Sequence, residues 1–331
     1  MAELVFDLNA PKREIRKRRA KKVIIQLPEG LKGKATHFAE EMERDTGAKA
    51  IVLIDPCYGA CDIPVNELEE FNADLILHFG HTEMLKYENT VYVPVKYKFG
   101  EGKFSELVKK TSRMLKKGKF KRVGLVSTAQ FLEYLPKMKR EMEKAGFSVK
   151  MEKGEKTEIG QVLGCDVFAA RKLRGKVDAF VYFGDGLFHP LGISFVSNKP
   201  LFMVNPLNES VKKFRESEKE AFLKKRVGII SKAVKAQSYG ILVSTKLGQL
   251  MLERALELKH LVESRGKRAY LLAGDLIKED RLLGMDIDCF VNTACPRIAI
   301  DDAMKWKKPL ISAVELEIAL KKKGAGEFQF P

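Results

Sequence analysis

The chain has 331 residues, 45% of them hydrophobic and 31% charged, enough for two or three domains and too long for most single cores. Its longest apolar runs, such as Val23–Gln26 and Ile51–Ile54, are strand-length, which argues against a membrane-spanning helix. Without a signal-peptide pattern at its N-terminus it reads as cytosolic, and 60 Lys and Arg against 44 Asp and Glu give a formal charge of +16 that favours acidic partners.

The densest basic run lies between Lys12 and Lys22, interrupted only by Glu14, Ile15 and Ala20. It reads as a solvated helix face. With no interleaved aromatics to stack on bases, no direct nucleic-acid contact is expected from it. Next comes an apolar strand, Val23 to Leu27, closing in Pro28-Glu29-Gly30, and then a helix that Gly47 ends. A second strand runs into a loop holding Cys57 and Cys61. A further strand opens on Asp74 and closes at Gly80-His81, and a last one spans Val91–Val95.

The same succession returns twice. Val123 to Gln130 reads as the first strand of a second repeat, followed by a helical stretch at Phe131–Ala145 that Gly146 stops. Asp178 opens a strand ending at Gly184-Asp185, and Pro200–Val204 follows. Gly240 to Lys246 begins the third repeat, with Leu247–Ser264 as its helix and Gly266 as the stop. Asp288 opens the next strand, which ends at Cys295, and Pro309–Ser312 comes last. Leu125–Thr128 recurs residue for residue at Leu242–Thr245. Glycine suits each stop because it accepts the left-handed conformation at a helix end.

Strand–helix–strand order at this length predicts an α/β fold with right-handed crossovers and a short parallel sheet in each repeat, flanked by helices. The expected domains are residues 1–118, 119–226 and 227–331, related by pseudo-threefold symmetry around a central site. In such sheets, function gathers at the carboxyl ends of the strands.

The cysteines acquire meaning from the repeat. Cys61 precedes Asp74 by 13 residues, and Cys165 precedes Asp178 by 13. The equivalent place in the third repeat is Asp275, but Cys295 lies seven residues after Asp288, where the other repeats have His81 and Asp185. Cys289 falls inside a strand and reads as a small core residue. Cys57 reads as an ordinary packed thiol, with a spare ligand as the alternative. Three thiolates, Cys61, Cys165 and Cys295, suit a 4Fe–4S cluster with one open iron better than a structural zinc, which closes its shell with four ligands. The competing reading is five unremarkable cysteines. His78 reads as a satisfied core residue; His81, Asp185 and His189 sit in or near predicted turns, for substrate contact or capping. No dinucleotide fingerprint, phosphate loop or Ser-His-Asp elbow is present.

Four segments, Gln26 to Leu31, Tyr58 to Asp62, Gly160 to Cys165 and Asn292 to Arg297, resemble the archaeal 2-(3-amino-3-carboxypropyl)histidine synthases. The resemblance implies a homodimer of three-domain chains, each domain giving one cysteine to a 4Fe–4S cluster. It implies transfer of the 3-amino-3-carboxypropyl group from S-adenosylmethionine to a histidine of translation elongation factor 2, the first step of diphthamide synthesis. It also implies a radical transferase that needs an electron donor, lacks the Cys-x3-Cys-x2-Cys loop of ordinary radical S-adenosylmethionine proteins, and has no catalytic group beyond the cluster. The strand-end residues Gln26, Gly80, Asp185 and Ser244 are expected to line the S-adenosylmethionine pocket. Two rival readings are a quinolinate synthase-like 4Fe–4S enzyme and a basic RNA-binding protein with structural cysteines.

Overall fold

The computed structural model describes residues 3–303, 305–321 and 324. It is an α/β protein whose mainly parallel sheets are flanked by helices. The chain divides into two compact units, Met1–Phe214 and Arg215–Pro331.

In the first unit, strand β1 (Glu3–Phe6) leads into helix α1 (Asn9–Arg18), which carries much of the basic run. The helix is not solvated all round. Pro11, Lys12 and Ile15 are buried, and the Lys12 ammonium pairs with Glu41 and, at 2.7 Å, with Asp45. Then come β2 (Lys22–Gln26), a 3₁₀ turn, α2 (Ala35–Thr46), β3 (Lys49–Val52), α3 (Val65–Glu70), β4 (Leu75–Phe79), β5 (Thr90–Val93) and β6 (Val95–Lys98). β6 pairs antiparallel with β1, while β3-β2-β4-β5 form a parallel sheet. Helix α4 (Glu101–Lys117) leads to β7 (Arg122–Ser127), a second 3₁₀ turn, α5 (Leu135–Lys144), β8 (Ser148–Lys150), α6 (Phe168–Leu173), β9 (Ala179–Phe183), α7 (Phe188–Val196), β10 (Leu201–Asn205) and β11 (Ser210–Lys213). These strands lie in the order β8-β7-β9-β10-β11, with only β11 antiparallel.

The second unit opens on α8 (Glu216–Val234), followed by β12 (Ser238–Ser244), α9 (Leu252–Glu263), β13 (Arg268–Gly274), β14 (Cys289–Asn292), β15 (Leu310–Ser312) and α10 (Ala313–Ala319). Its parallel sheet runs β13-β12-β14-β15. Each of the three repeats therefore lays down its strands in one order: second, first, third, fourth. Residue 118 directly follows α4, whereas residue 226 falls inside α8, because the Lys-rich stretch there is helical. The expected helix at Leu247 begins later, at Leu252, after a turn closed by Gln249 N–H on the Lys246 carbonyl.

The acid opening each third strand has a clear task. One carboxylate oxygen of Asp74 accepts the N–H groups of Lys21 and Lys22, at 2.7 and 2.9 Å. Asp178 does the same for Lys121 and Arg122, and Asp288 for Gln237 and Ser238. The acid thus ties the third strand to the start of the first and sets their register. Gly47, Gly146 and Gly266 all take positive φ, at 75°, 93° and 71°, as their helix-stopping role requires.

This register corrects one sequence alignment. With Asp178 and Asp288 superposed, Gly124 beside Phe180 matches Gly240 beside Phe290. The identical segments Leu125–Thr128 and Leu242–Thr245 are therefore one position out of step, and Ser244 stands where Thr128 does, not Ser127. These strands are buried on both faces, so alternation gives no cue to register. Both glycines are needed for space: a Cβ would come within 2.8 Å of the Phe180 ring at Gly124 and of Leu272 at Gly240.

Candidate active site

The loops that carry Cys61 and Cys165 leave the carboxyl ends of β3 and β8, and Cys295 follows the carboxyl end of β14. All three occupy the sheet edge at which parallel α/β folds place their chemistry. Cys61 and Cys295 are partly exposed and Cys165 is exposed, whereas Cys57 and Cys289 are buried.

The Cys61 loop is held by its own carboxylate. Asp62, itself buried, accepts the Tyr58 N–H at 3.4 Å, and its backbone N–H closes the turn on the Gly59 carbonyl at 3.0 Å. The Tyr92 hydroxyl on β5 reaches the Leu85 carbonyl at 2.9 Å and the Ala60 carbonyl at 3.3 Å. Burial raises the Tyr92 pKa, and the bond to the Ala60 carbonyl sets this tyrosine against the loop one residue before Cys61.

An aspartate also follows Cys165. Asp166 accepts N–H groups from Glu155, Lys156 and Phe168, at 3.1, 3.2 and 2.9 Å, and so folds the hairpin under the cysteine. Gly164 has no alternative, since a Cβ there would lie 1.8 Å from the Phe188 ring. The Cys165 loop is tied to the turn after β4: the buried Gln161 donates its amide N–H to Thr82 Oγ1 at 2.8 Å. Thr82 follows His81 and Gln161 lies just before Cys165 in the chain, so the third-strand turn of the first repeat meets the cysteine loop of the second.

In the second unit the Asn292 amide N–H donates to the Cys295 carbonyl at 2.9 Å, and its oxygen accepts the Ala294 N–H at 3.2 Å. The Cys295 carbonyl also accepts the Ile298 N–H, starting the following helical turn. Asp275, the counterpart of the other repeats' cysteines, instead forms an ion pair with Lys246 at 3.3 Å.

The strand-end residues fall into different environments. Gln26 is buried, and its Oε1 lies 2.6 Å from His78 Nδ1. Gly80 takes φ 91° and abuts Pro28, where a Cβ would come within 2.7 Å. Asp185 is exposed, with its carbonyl accepting the Tyr182 hydroxyl at 2.8 Å. Ser244 is buried in the second unit and accepts the Lys246 N–H at 3.2 Å.

His78 is the satisfied core residue the sequence suggests, fully buried with both ring nitrogens partnered. Its Nε2 lies 2.9 Å from His81 Nδ1, and the donor atoms of Cys57, His78 and His81 all lie within 4.8 Å of one another. Burial holds His78 well below the usual imidazole range, with His81 adding to the effect, and lowers His81 to about 4. Both rings are therefore neutral at pH 7. Sequence spacing missed this group, because its members come from a loop and a strand end. It also missed Asp62 and Asp166, although an aspartate follows both cysteines.

A family profile described as "Putative diphthamide synthesis protein" matches residues 27–329. The chain belongs to this family. Its relatives include the 2-(3-amino-3-carboxypropyl)histidine synthase of Pyrococcus horikoshii, 32% identical over 312 residues, covering 93% of this chain and 88% of that protein. The protein of the same name from Methanocaldococcus jannaschii is 31% identical over 316 residues, covering 91% and 84%. The fold is similar to the crystal structure of Dph2 from Pyrococcus horikoshii with 4Fe-4S cluster, at a TM-score of 0.89 and 30% identity, covering all of this chain and 94% of that one. Membership fits the positions of the four family-like segments, three of which enclose Cys61, Cys165 and Cys295. No helix among the described residues is long and apolar enough to cross a membrane.

Proposed function

We propose that this chain is a cytoplasmic 2-(3-amino-3-carboxypropyl)histidine synthase. It transfers the aminocarboxypropyl group of S-adenosylmethionine to a histidine of translation elongation factor 2 by a radical route. Cys61, Cys165 and Cys295 hold its 4Fe–4S cluster. The observation that carries this reading is the end-to-end likeness, in fold and sequence, to a diphthamide synthesis protein crystallised with such a cluster. The donor chemistry fits. Each of the three thiols sits in a loop at the carboxyl end of a sheet and retains exposure, while the other two cysteines are buried; reactive and metal-binding thiolates occupy accessible sites of this kind. When bound, the cluster supplies one electron and an open iron position.

The chain's own residues position and shield. Asp62, Asp166 and Asn292 fix the backbone beside each cysteine. The Thr82–Gln161 bond holds the Cys165 loop against the turn after β4. Gln26, Gly80, Asp185 and Ser244 line the S-adenosylmethionine pocket: the exposed Asp185 carboxylate suits the methionine ammonium, and Gly80 keeps side-chain bulk away. Orientation of the sulfonium then decides which carbon–sulfur bond breaks. The three repeats act as three domains, 1–118, 119–226 and 227–331, in a homodimer, and the +16 surface aids docking of a protein substrate that works on the ribosome.

The test is anaerobic purification with iron and sulfide analysis, then incubation with dithionite, S-adenosylmethionine and archaeal elongation factor 2. The expected result is about four irons per chain, methylthioadenosine release and an aminocarboxypropyl mass on the factor. A chain that stays iron-free and colourless after reconstitution overturns the cluster. A loaded chain that yields no methylthioadenosine overturns the transfer reaction.

A further inference from the structure

We propose that Cys57, His78 and His81, none of them a cluster ligand assigned above, form a second site, for a divalent transition metal ion such as zinc. The proposal does not depend on the cluster assignment. The three donors come from two segments, the loop after β3 and the end of β4, yet their ligand atoms lie within 4.8 Å of one another. Two imidazoles and a thiolate are the donor types that zinc and its neighbours favour.

The surroundings of His78 are those of a metal-bound histidine. Its Nδ1 lies 2.6 Å from the buried Gln26 Oε1. An amide oxygen accepts only, so Nδ1 carries the proton and the Nε2 lone pair is turned toward His81 and Cys57. Outer hydrogen bonds of this type fix tautomer and ring orientation in metal sites. The Tyr92 ring, with its centroid 5.1 Å from that of His78, closes another side. His81 is partly buried, and a water would complete the shell as fourth ligand.

The distances are close to those required. Two nitrogens 2.9 Å apart, each about 2.0–2.1 Å from zinc, subtend about a right angle, and a tetrahedral angle needs about 3.4 Å. A modest turn of the partly exposed His81 ring supplies the difference, and Cys57 must draw in slightly from the loop. Without an ion, a proton occupies the line between the two rings. Binding moves that proton from His81 Nδ1 to Nε2 and releases the Cys57 thiol proton to solvent, one proton per ion. The structural consequence is a clamp. The ion ties the loop carrying Cys61 to the end of β4, alongside the tyrosine that already holds the Ala60 carbonyl.

The full-length Cys61→Ser/Cys165→Ser/Cys295→Ser chain removes the competing thiolates and is titrated with Co(II) under anaerobic conditions. The expected result is one cobalt per chain, with intense four-coordinate visible bands and a near-ultraviolet thiolate-to-cobalt charge-transfer band, both displaced by zinc. Adding Cys57→Ala abolishes the charge-transfer band, Cys289→Ala leaves it, and Gln26→Ala weakens binding by about 10–100-fold. A missing band, or one that survives Cys57→Ala, overturns the proposal. Should the triple variant fail to fold by circular dichroism, zinc-edge X-ray absorption on the intact, zinc-loaded protein decides. One sulfur with nitrogen and oxygen neighbours supports the site, and a shell of three or more sulfurs, or no bound zinc, overturns it.

Discussion

Cys289 and Cys295 lie on one short stretch of chain, yet the fold puts them in opposite worlds. Cys289 opens β14, is 0% exposed, and has its thiol pKa pushed far up by burial, with Glu315 and Asp288 adding to the effect. Such a thiol stays protonated and acts as a small apolar filler. Cys295 stands past the strand end in a turn shaped by Asn292 and keeps part of its surface. Position relative to the strand end, rather than the presence of sulfur, separates a core residue from a ligand candidate.

The largest effect that sharpens this contrast is on turnover. Cys295→Ser, like Cys61→Ser and Cys165→Ser, is expected to lower aminocarboxypropyl transfer at least about 100-fold, or about 2.7 kcal/mol of barrier, with loss of bound iron. Cys289→Ser should keep its iron and its transfer rate while losing about 1–3 kcal/mol of stability from a hydroxyl placed in the core. Iron analysis and product mass, measured on both variants, check the pair. Retained iron in Cys295→Ser together with loss in Cys289→Ser would reverse the two roles.

A second test addresses the core around Cys289. Arg226 forms a forked ion pair with Glu315 and also donates to the Ala299 and Leu310 carbonyls, with both side chains buried. Removing one partner strands the other's charge in the core. Glu315→Gln is therefore expected to cost about 3–5 kcal/mol in urea unfolding. By contrast, Arg122→Gln, which opens the far more exposed Arg122–Asp178 pair, should barely move the urea midpoint. Equal costs would mean that the buried pair is not what holds this core together.

Much of this architecture was legible in the chain itself. The recurring acids, the glycine stops and the apolar strands mark three repeats with one strand order. The 13-residue spacing to Asp74 and Asp178 put Cys61 and Cys165 in corresponding loops, and the structure has each in the loop that follows the second strand of its repeat. What escaped did so for physical reasons. Strands buried on both faces carry no alternation, so the shared Leu-Val-Ser-Thr segment misled by one residue. The boundary expected at residue 226 falls inside α8, where Arg226 reaches a buried partner 89 residues away that local sequence does not reveal. The Cys57–His78–His81 group and the Thr82–Gln161 bond join distant segments, and no local spacing announces them.

The register correction has its own, smaller test. Gly124 and Gly240 are equivalent only if the acids set the alignment, and in both a Cβ would run into a neighbouring strand's side chain. Alanine at either position should cost about 1–3 kcal/mol by overpacking, read from the urea midpoint. A clear cost at one and none at the other would break the equivalence.

The smallest effect concerns the acids themselves. Two backbone N–H groups hold the Asp288 carboxyl below its usual pKa, and the Arg122 guanidinium does the same for Asp178. A carboxylate whose folded pKa is depressed adds stability that is complete above its unfolded value, near 3.9. That contribution fades as pH falls toward the folded value. Asp288→Asn is therefore expected to cost about 0.5–1.5 kcal/mol at pH 7, kept small because solvent screens so exposed a group. Urea midpoints of the two proteins should converge only as the pH drops below about 4. A gap that stays constant from neutral to acid pH would show that the side chain's shape, not its charge, ties the third strand to the first.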